Sequence, residues 1–285
     1  MHEASIEKLA APATGSTVRN SKRIGIVPNI RKLSIIIPCY NEENTVAALL
    51  DKVSESSLPN GIEKEIILVN DCSADATDTV IKEYIRANEE LNIIYISHET
   101  NKGKGTAIHT GLQNATGEYV LIQDADLEYD PNEYSLLLAP ILSGHADIVY
   151  GSRFMGGHPH RILFFWHTIG NKLLTFISNV FTNMNLTDAH TCYKLVKLTT
   201  IQSIPLQEKR FAFDSELNVR LSQIPGQRIY EVGISYYGRT FSEGKKIRLR
   251  DAIRSVYCIV KYSVFNRLEK SSLPQSKTLS QAPKI

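Results

Sequence analysis

The sequence predicts an α/β fold in which a mainly parallel β-sheet is flanked by helices. First, short apolar runs alternate with amphipathic segments from residue 33 onward, as in strands joined by crossover helices. Second, a cluster of polar residues follows each of the first four apolar runs. Third, the chain has 285 residues, of which 42% are hydrophobic and 22% charged. This length and composition are typical of a globular protein with one large domain.

Each element is predicted from its own pattern. The strands are short runs rich in Ile, Leu and Val, and the helices repeat apolar residues at spacings of three and four. Asn41 or Asn44 is the expected cap of the first helix, and Asp75 that of the second. Right-handed crossovers place the carboxyl ends of the strands at one edge of the sheet. The predicted strands are 33–38, 65–70, 92–98, 118–123 and 147–150, and the helices are 41–56, 76–88, 105–114, 134–142 and 161–183.

The two ends of the chain differ from this main domain, which we predict to span residues 32–243. Residues 1–31 are rich in Ala, Ser, Thr and Asn without periodicity, so we expect a flexible N-terminal extension. Residues 244–270 are predicted to form a basic amphipathic helical segment. Residues 271–285, rich in Ser, Lys, Pro and Gln, are expected to be a disordered tail.

Two segments carry more apolar residues than a core-facing stripe needs. They are residues 161–183 and residues 244–270, the latter with eight Lys or Arg against two acids. Neither reaches the roughly 18–20 apolar residues that span a bilayer, and residues 1–30 lack the apolar core of a secretory signal. A basic amphipathic helix favours an anionic membrane surface. We therefore expect a cytoplasmic protein on the cytoplasmic face of a membrane, with burial of both segments or a homo-oligomer interface as alternatives.

The cysteines and the net charge indicate no further partner. Cys39, Cys72, Cys192 and Cys258 are widely separated and lack metal-ligand spacing, so free thiols in a reducing compartment are expected. The net charge of +2 gives no indication of nucleic acid, and no nucleic-acid partner is expected.

Three carboxylates follow the fourth predicted strand, in the segment Asp124-Ala125-Asp126-Leu127-Glu128. Carboxylates this close repel one another unless a cation or a ligand compensates them. Their oxygens suit Mg²⁺ or Mn²⁺, which in turn bind phosphate oxygens. Because ligand sites of open α/β sheets lie at the carboxyl ends of the strands, Asp124, Asp126 and Glu128 are candidate metal ligands. A loop of solvated acids before a helix would give the same pattern.

The other three clusters suit a nucleotide. Residues 38–42 (PCYNE) offer the Tyr40 ring to a base and the Glu42 carboxylate to hydrogen-bond donors, and Asp71 after the second strand can accept from a base edge. Residues 101–105 (NKGKG) combine exposed backbone N–H groups with the charge of Lys102, as a phosphate requires. That loop lacks the P-loop and dinucleotide-binding spacings. Taken singly, each cluster is also consistent with a simple loop before a helix.

The motifs taken in order resemble those of family-2 glycosyltransferases, which have the GT-A fold, a Rossmann-like nucleotide-sugar-binding architecture. The chain most resembles dolichyl-phosphate mannose synthases and bacterial polyprenyl-phosphate glycosyltransferases, over roughly residues 33–260. This resemblance implies a GT-A domain over residues 32–243, followed by C-terminal amphipathic helices. The motifs that carry it are PCYNE at 38–42, NDCSAD at 70–75, NKGKG at 101–105, DADLE at 124–128, GSRF at 151–154, TCYK at 191–194 and RTFSEGKKI at 239–247.

The resemblance also implies roles for individual residues. Asp126, the second Asp of a DxD-type motif, would be the main metal ligand, with Glu128 standing where many members have Gln. Arg153 would hold the acceptor phosphate, and Arg161 is the candidate for a second basic residue whose spacing departs here. Arg239 and Lys245 would grip the diphosphate. The nucleoside would contact Pro38, Tyr40, Glu42, Asp71, Asp124 and Ala125.

The predicted function is metal-dependent, inverting transfer of a hexose from GDP-mannose or UDP-glucose to a polyprenyl phosphate. Such an acceptor is already anionic and needs little base catalysis, so Arg and Lys side chains would act by positioning two anions. A soluble enzyme acting on a saccharide or protein hydroxyl is one alternative, with Asp188, Asp214 or Glu216 as its base. A catalytically silent nucleotide-sugar-binding protein is another. The sequence does not decide between Mg²⁺ and Mn²⁺.

Overall fold

The structure is a computed structural model, and the predicted N-terminal extension and C-terminal tail lie almost wholly outside the residues it describes. The division of the chain into an extension, a main domain, a basic segment and a tail therefore stays a prediction. The described residues are 28–157, 159, 161–162, 165–239 and 249–265.

Seven strands form one sheet in the order β3-β2-β1-β4-β6-β5-β7. β1 pairs in parallel with β2 and β4, β2 with β3, and β5 with β7, whereas β6 is antiparallel to both β4 and β5. The predicted α/β fold with a mainly parallel sheet is confirmed. The strands are β1 (Lys32–Cys39), β2 (Glu63–Asn70), β3 (Ile93–Ser97), β4 (Tyr119–Ile122), β5 (Ile148–Ser152), β6 (Lys194–Lys197) and β7 (Ile229–Gly233).

Helices flank this sheet, most of them between successive strands. Short 3₁₀ turns lie at Pro59–Gly61 and Pro131–Glu133, and a π-helical turn at Lys261–Phe265 continues the last helix. The helices are α1 (Val46–Glu55), α2 (Thr77–Ala87), α3 (Lys104–Asn114), α4 (Tyr134–Leu142), α5 (Phe165–Thr182), α6 (Leu198–Gln202), α7 (Phe213–Ser222) and α8 (Leu249–Val260).

The centre of the sheet is covered on both faces. Ile35, Ile36 and Ile37 of β1 are all fully buried, although successive side chains of a strand point to opposite faces. Helix α3 packs closely on this strand. A Cβ atom on Gly111 would lie only 2.5 Å from Cγ2 of Ile36, so the two elements approach each other as closely as a glycine allows. This packing fixes α3 against the centre of β1.

Helix α1 begins at Val46, five residues later than the predicted start, because Asn41 has a different role. Asn41 has a φ of 51°. Its N–H donates to Ser73 Oγ at 3.0 Å, and its side-chain oxygen accepts the Ala74 N–H at 2.8 Å. The residue therefore joins the loops after β1 and β2 instead of capping a helix. The Asp75 carboxylate accepts the Thr77 N–H at 3.0 Å, which satisfies the start of α2 as a cap would.

Helices α5 and α8 pack against each other and expose large apolar side chains. A small second core joins α7, α8 and the π-helical turn through Val219, Ile259 and Tyr262. Outside it lie what we call the exposed stripes, Phe165, Trp166, Ile169, Leu173, Phe176 and Val180 on α5, and Ile253 and Tyr257 on α8.

Trp166 is 79% exposed and Phe176 is 65% exposed, so packing against the described residues does not account for their apolar character. No helix among the described residues is long and apolar enough to cross a membrane.

Candidate active site

A cavity of about 640 Å³ lies at the carboxyl ends of the parallel strands. The four polar clusters that the sequence predicted to converge meet in its walls. Helices α5 and α8, the loop before α7, and residues that follow β5 and β7 or precede β6 also line it. The residues that line this cavity include Pro38, Tyr40, Glu42, Asp71, Asn101, Gly103, Lys104, Asp124, Ala125, Asp126, Glu128, Arg153, His167, Asn171, Leu174, His190, Cys192, Arg210, Asp214, Tyr236, Arg239, Arg250, Asp251 and Ser255.

Asp71 shapes the glycine-containing loop that follows β3. Its carboxylate accepts the backbone N–H groups of Lys102 at 2.8 Å and Gly103 at 2.6 Å, and it lies 2.8 Å from Nδ1 of His98. Gly103 has a φ of +95°, and a Cβ there would lie 2.6 Å from the carbonyl oxygen of Lys209, so only glycine fits. Lys102 thus contributes its backbone, and Lys104 is the lysine of this loop that lines the cavity.

Lys104 and Asp124 form an ion pair on the cavity wall. The Nζ atom of Lys104 lies 2.7 Å from Oδ1 of Asp124 and 3.8 Å from Sγ of Cys192. Burial alone would lower the pKa of Lys104, but the neighbouring Asp124 carboxylate holds that pKa well above its ordinary value. Lys104 therefore stays charged and compensates the first carboxylate of the DADLE segment.

Arg239 lies among the remaining carboxylates of the site. Its guanidinium is 3.3 Å from Glu42 and 3.1 Å from Oδ2 of Asp126. Its backbone N–H donates to Glu128 at 2.6 Å, and the Tyr236 hydroxyl donates to the other oxygen of Glu128 at 2.7 Å. Glu128 thus fixes the backbone that brings Arg239 to the acids. We call Glu42, Asp126 and Glu128 the acid cluster.

The acid cluster carries more negative charge than one guanidinium balances. Burial, together with the Asp124 and Glu128 carboxylates, raises the pKa of Asp126 to about 7 although Arg239 acts in the opposite direction. A further cation near Asp126 would relieve this repulsion.

The acid cluster suits a divalent cation whose coordination is completed by oxygen atoms of a bound ligand. Its donors are carboxylate oxygens, which hard cations such as Mg²⁺ and Mn²⁺ prefer. Among the residues that the structure describes, no three His, Cys, Asp or Glu side chains are grouped so that they could hold a metal by themselves. A cation bound at Asp126, with Asp124 or Glu128, therefore needs oxygen atoms from a ligand to complete its coordination.

Arg153 is held by a buried carboxylate. Its Nε and Nη2 atoms lie 2.6 and 2.8 Å from the two oxygens of Asp188, and its guanidinium stacks over the Tyr236 ring at 5.0 Å. Burial alone would raise the pKa of Asp188, but Arg153 holds it below its ordinary range. The pair is therefore charged, and the fork of Arg153 is committed to Asp188.

The other proposed bases are also engaged. Asp214 lines the cavity, but it pairs with Lys194 at 2.8 Å; against the effect of burial, Lys194 and Lys104 keep its pKa below the ordinary range. Glu216 is fully buried and accepts the N–H groups of Gln207 and Glu208. None of the three carboxylates is a free base facing the cavity.

A further residue assigned from the sequence lies apart from this cavity. Arg161 donates to the carbonyl oxygen of Gly238 at 2.9 Å and does not line the cavity. Lys245 lies outside the described residues.

Sequence reasoning also missed several lining residues. Lys104 stands in the NKGKG motif, two residues after Lys102, so the motif itself contained the signal for it. His190, whose pKa burial lowers to about 4, and Arg210 and Arg250 follow no predicted strand. Tertiary packing alone brings these three to the cavity.

The donor-side half of this site lies within a stretch that matches a known family. The model of glycosyl transferase family 2 matches residues 34–202, which is more than half of the chain. The chain belongs to glycosyl transferase family 2. The resemblance drawn from the motifs is thereby confirmed, and the protein is a glycosyltransferase.

Two relatives match most of the chain. A dolichyl-phosphate beta-glucosyltransferase of Trichomonas vaginalis is 28% identical over 248 residues, covering 83% of this chain and 74% of the relative. A dodecaprenyl-phosphate galacturonate synthase of Rhizobium johnstonii is 23% identical over 214 residues, covering 75% of this chain and 61% of the relative.

A solved structure shares the fold. Glucosyl-3-phosphoglycerate synthase from Mycobacterium tuberculosis, in complex with Mn²⁺, UDP and phosphoglyceric acid, superposes with a TM-score of 0.63 at 17% identity, covering 86% of this chain and 80% of that chain. At this identity the likeness shows the GT-A fold alone.

The Arg153–Asp188 pair leads to a stability prediction. Asp188→Ala is expected to cost about 3–5 kcal/mol in the free energy of unfolding, because it leaves Arg153 buried without its carboxylate. The folded-state pKa of Asp188 is lowered, so its contribution is present at neutral pH and is lost as the pH falls through that folded value. Urea titrations at neutral and acidic pH would measure both effects.

Asp147→Ala is the matched control. Asp147 also pairs with an arginine, Arg228, through two hydrogen bonds. The side chain of Arg228 is 37% exposed and that of Asp147 is 34% exposed. We expect a cost of about 0–1 kcal/mol there. Equal costs for the two substitutions would contradict a buried, charge-compensating role for Asp188.

Proposed function

We propose that this family-2 glycosyltransferase transfers a hexose from a nucleotide sugar to the phosphate of a polyprenyl lipid, with a divalent cation, at a membrane surface. The observation that carries the proposal is a single cavity with two kinds of wall. One wall is the set of acids and cations at the strand ends, and the other is formed by the two helices that expose apolar stripes. The names of the two relatives, a dolichyl-phosphate and a dodecaprenyl-phosphate glycosyltransferase, support the lipid-phosphate acceptor.

The donor would bind at the strand ends. Tyr40 is 38% exposed at the cavity and offers its ring to the base, while Pro38, Asp71 and Ala125 would line the nucleoside pocket. We favour UDP-glucose over GDP-mannose, because the T. vaginalis relative is named as a glucosyltransferase and the fold neighbour was solved with UDP. Lys102 would contribute through the loop backbone that Asp71 holds in place.

Asp126, with Asp124 and Glu128, would hold Mg²⁺ or Mn²⁺. When bound, the cation supplies Lewis-acid stabilisation of the departing diphosphate. Arg239, which the acid cluster holds in the absence of a ligand, would pair with the same diphosphate. We propose the same role for Lys245.

The acceptor needs positioning more than activation. A phosphate oxygen attacks the anomeric carbon from the side opposite the diphosphate, the bond from that carbon to the diphosphate oxygen breaks, and the diphosphate takes the electron pair. No proton has to be removed, since the phosphate is already anionic. This agrees with the pairing of Asp188 and Asp214 with cations, whereas a hydroxyl acceptor would need a free carboxylate as its base.

The exposed stripes would rest on the membrane. Helix α5 contributes His167, Asn171 and Leu174 to the cavity wall, and α8 contributes Arg250 and Ser255. The same two helices therefore line the cavity and carry the apolar side chains that a lipid surface would cover. A peripheral position on the cytoplasmic face would let a lipid phosphate enter from the bilayer.

The transfer reaction tests the proposal directly. Purified protein, Mn²⁺ or Mg²⁺ and UDP-glucose or GDP-mannose would be incubated with a short polyprenyl phosphate, and glycolipid measured by mass spectrometry. Asp126→Asn is expected to lower the rate at least about a hundredfold, because the cation loses its main ligand.

Asp130→Asn is the control, since Asp130 lies four residues on and accepts the Asn132 N–H at 3.0 Å outside the cavity. It should keep the wild-type rate. Nucleotide-sugar binding without glycolipid would reject the lipid acceptor, and binding without turnover on any acceptor would favour a silent binding protein.

Vesicle binding tests the membrane surface separately. Trp166→Ser with Phe176→Ser should weaken binding to anionic vesicles about tenfold or more, because burying each aromatic ring contributes roughly 1.5–3 kcal/mol. Tyr230→Ser removes an aromatic ring that is 43% exposed on β7 and should leave binding unchanged. Co-sedimentation would measure it, and equal binding by both variants would reject the α5 stripe as the membrane contact.

A further inference from the structure

Three cations at the cavity are already paired with acids. Lys104 pairs with Asp124, and Arg153 pairs with Asp188. Arg239 is shared by the acid cluster. An anionic ligand that binds to one of these cations must displace the carboxylate that the cation already contacts.

Arg210 and Arg250 differ from these cations. Both line the cavity and both are exposed. Within the described part of the chain, neither guanidinium has a carboxylate partner at ion-pair distance. Arg210 precedes α7, and Arg250 lies in the first turn of α8, so two separate elements bring the two charges to one cavity.

The position of Arg210 is fixed by its neighbours. Its Cγ atom would lie 2.7 Å from a Cβ on Gly103, so its stem rests on the loop that Asp71 shapes. The carbonyl oxygen of Lys209 accepts the Thr106 N–H at 3.0 Å, and that of Arg210 accepts the Phe213 N–H at 3.1 Å. The backbone at Arg210 is thus tied to α3 and α7, and its charged end is left available.

We infer that Arg210 and Arg250 bind the phosphate of the acceptor at the mouth of the cavity. This inference rests on the proposed function and assigns to these residues the contact that the resemblance gave to Arg153 and Arg161. A guanidinium pairs with phosphate through two parallel hydrogen bonds. Two cations that have no ion-pair partner among the described residues, beside helices that expose apolar stripes, suit a ligand with an anionic head and a hydrocarbon chain.

Arg153 then has a positioning role. Its fork is occupied by Asp188, and its ring contact with Tyr236 orients the residue whose hydroxyl holds Glu128. On the other wall, Asp251 lies beside Arg250 and offsets part of its charge. We therefore expect Arg210 to contribute more to acceptor binding than Arg250 does.

The test compares Arg210→Gln with Lys209→Gln. Lys209 is the adjacent exposed residue, its side chain is outside the cavity wall, and its replacement removes the same charge. Calorimetry would measure the Kd of a short polyprenyl phosphate for protein saturated with UDP and Mn²⁺, and kinetics would give the KM of acceptor and donor.

Arg210→Gln is expected to raise the acceptor Kd and KM about tenfold or more with the donor KM unchanged, Arg250→Gln to raise them less, and Arg210→Lys to recover part of the loss. Lys209→Gln should match the wild type. Wild-type affinity in Arg210→Gln, or a rise confined to the donor KM, would overturn the inference while leaving the proposed function standing. Wild-type protein that neither binds nor glycosylates the polyprenyl phosphate would overturn both.

Discussion

The contact between Arg239 and the acid cluster joins three distant parts of the chain at the centre of the site. Glu42 follows β1, Asp126 and Glu128 follow β4, and Arg239 comes from beyond β7. Carboxylates buried this close are costly without a cation, and Glu128 fixes the backbone of Arg239 through its N–H. The folding of residues 236–239 over the strand ends thus depends on the charge that the strand ends carry.

The same compensation recurs around the cavity. Asp124 has Lys104, Asp188 has Arg153, and Asp214 has Lys194. Pairing accounts for the stability of these charges in a partly buried site, and it also limits their chemistry, because a carboxylate held by a cation is a poor base. The site is therefore suited to exchanging one anion for another, which is what transfer between a diphosphate and a phosphate requires.

The convergence of the polar clusters could be predicted from the sequence because it follows from the topology of the sheet. Strand-end clusters converge because parallel strands with crossover connections share one edge, so Glu42, Asp71 and Asp126 could be placed together from the sequence alone. The antiparallel strand β6 lay in a region whose pattern was mixed. The predicted start of α1 is five residues before the observed one, at Val46. Asn41 contacts the loop after β2, and no local sequence pattern encodes that contact.

The acceptor side of the site could not be read in the same way. Arg210 and Arg250 reach the cavity through the packing of α7 and α8, at sequence distances over which periodicity carries no information. The family match ends at residue 202, so Arg210, Arg239 and α8 lie beyond it. Family membership therefore supports the donor side, whereas the acceptor side rests on the geometry of this chain.

Calorimetric titration of the wild-type protein with UDP, in Mn²⁺ and then in a chelator, tests the central claim most directly. In the proposed function, a divalent cation replaces Arg239 at the acid cluster when the donor binds, and Arg239 pairs with the diphosphate. UDP is then expected to bind at least about tenfold more tightly with Mn²⁺, since without the cation its phosphates are repelled by the carboxylates of the acid cluster. Equal affinity in the chelator would contradict the claim and leave Arg239 as the permanent cation of the site.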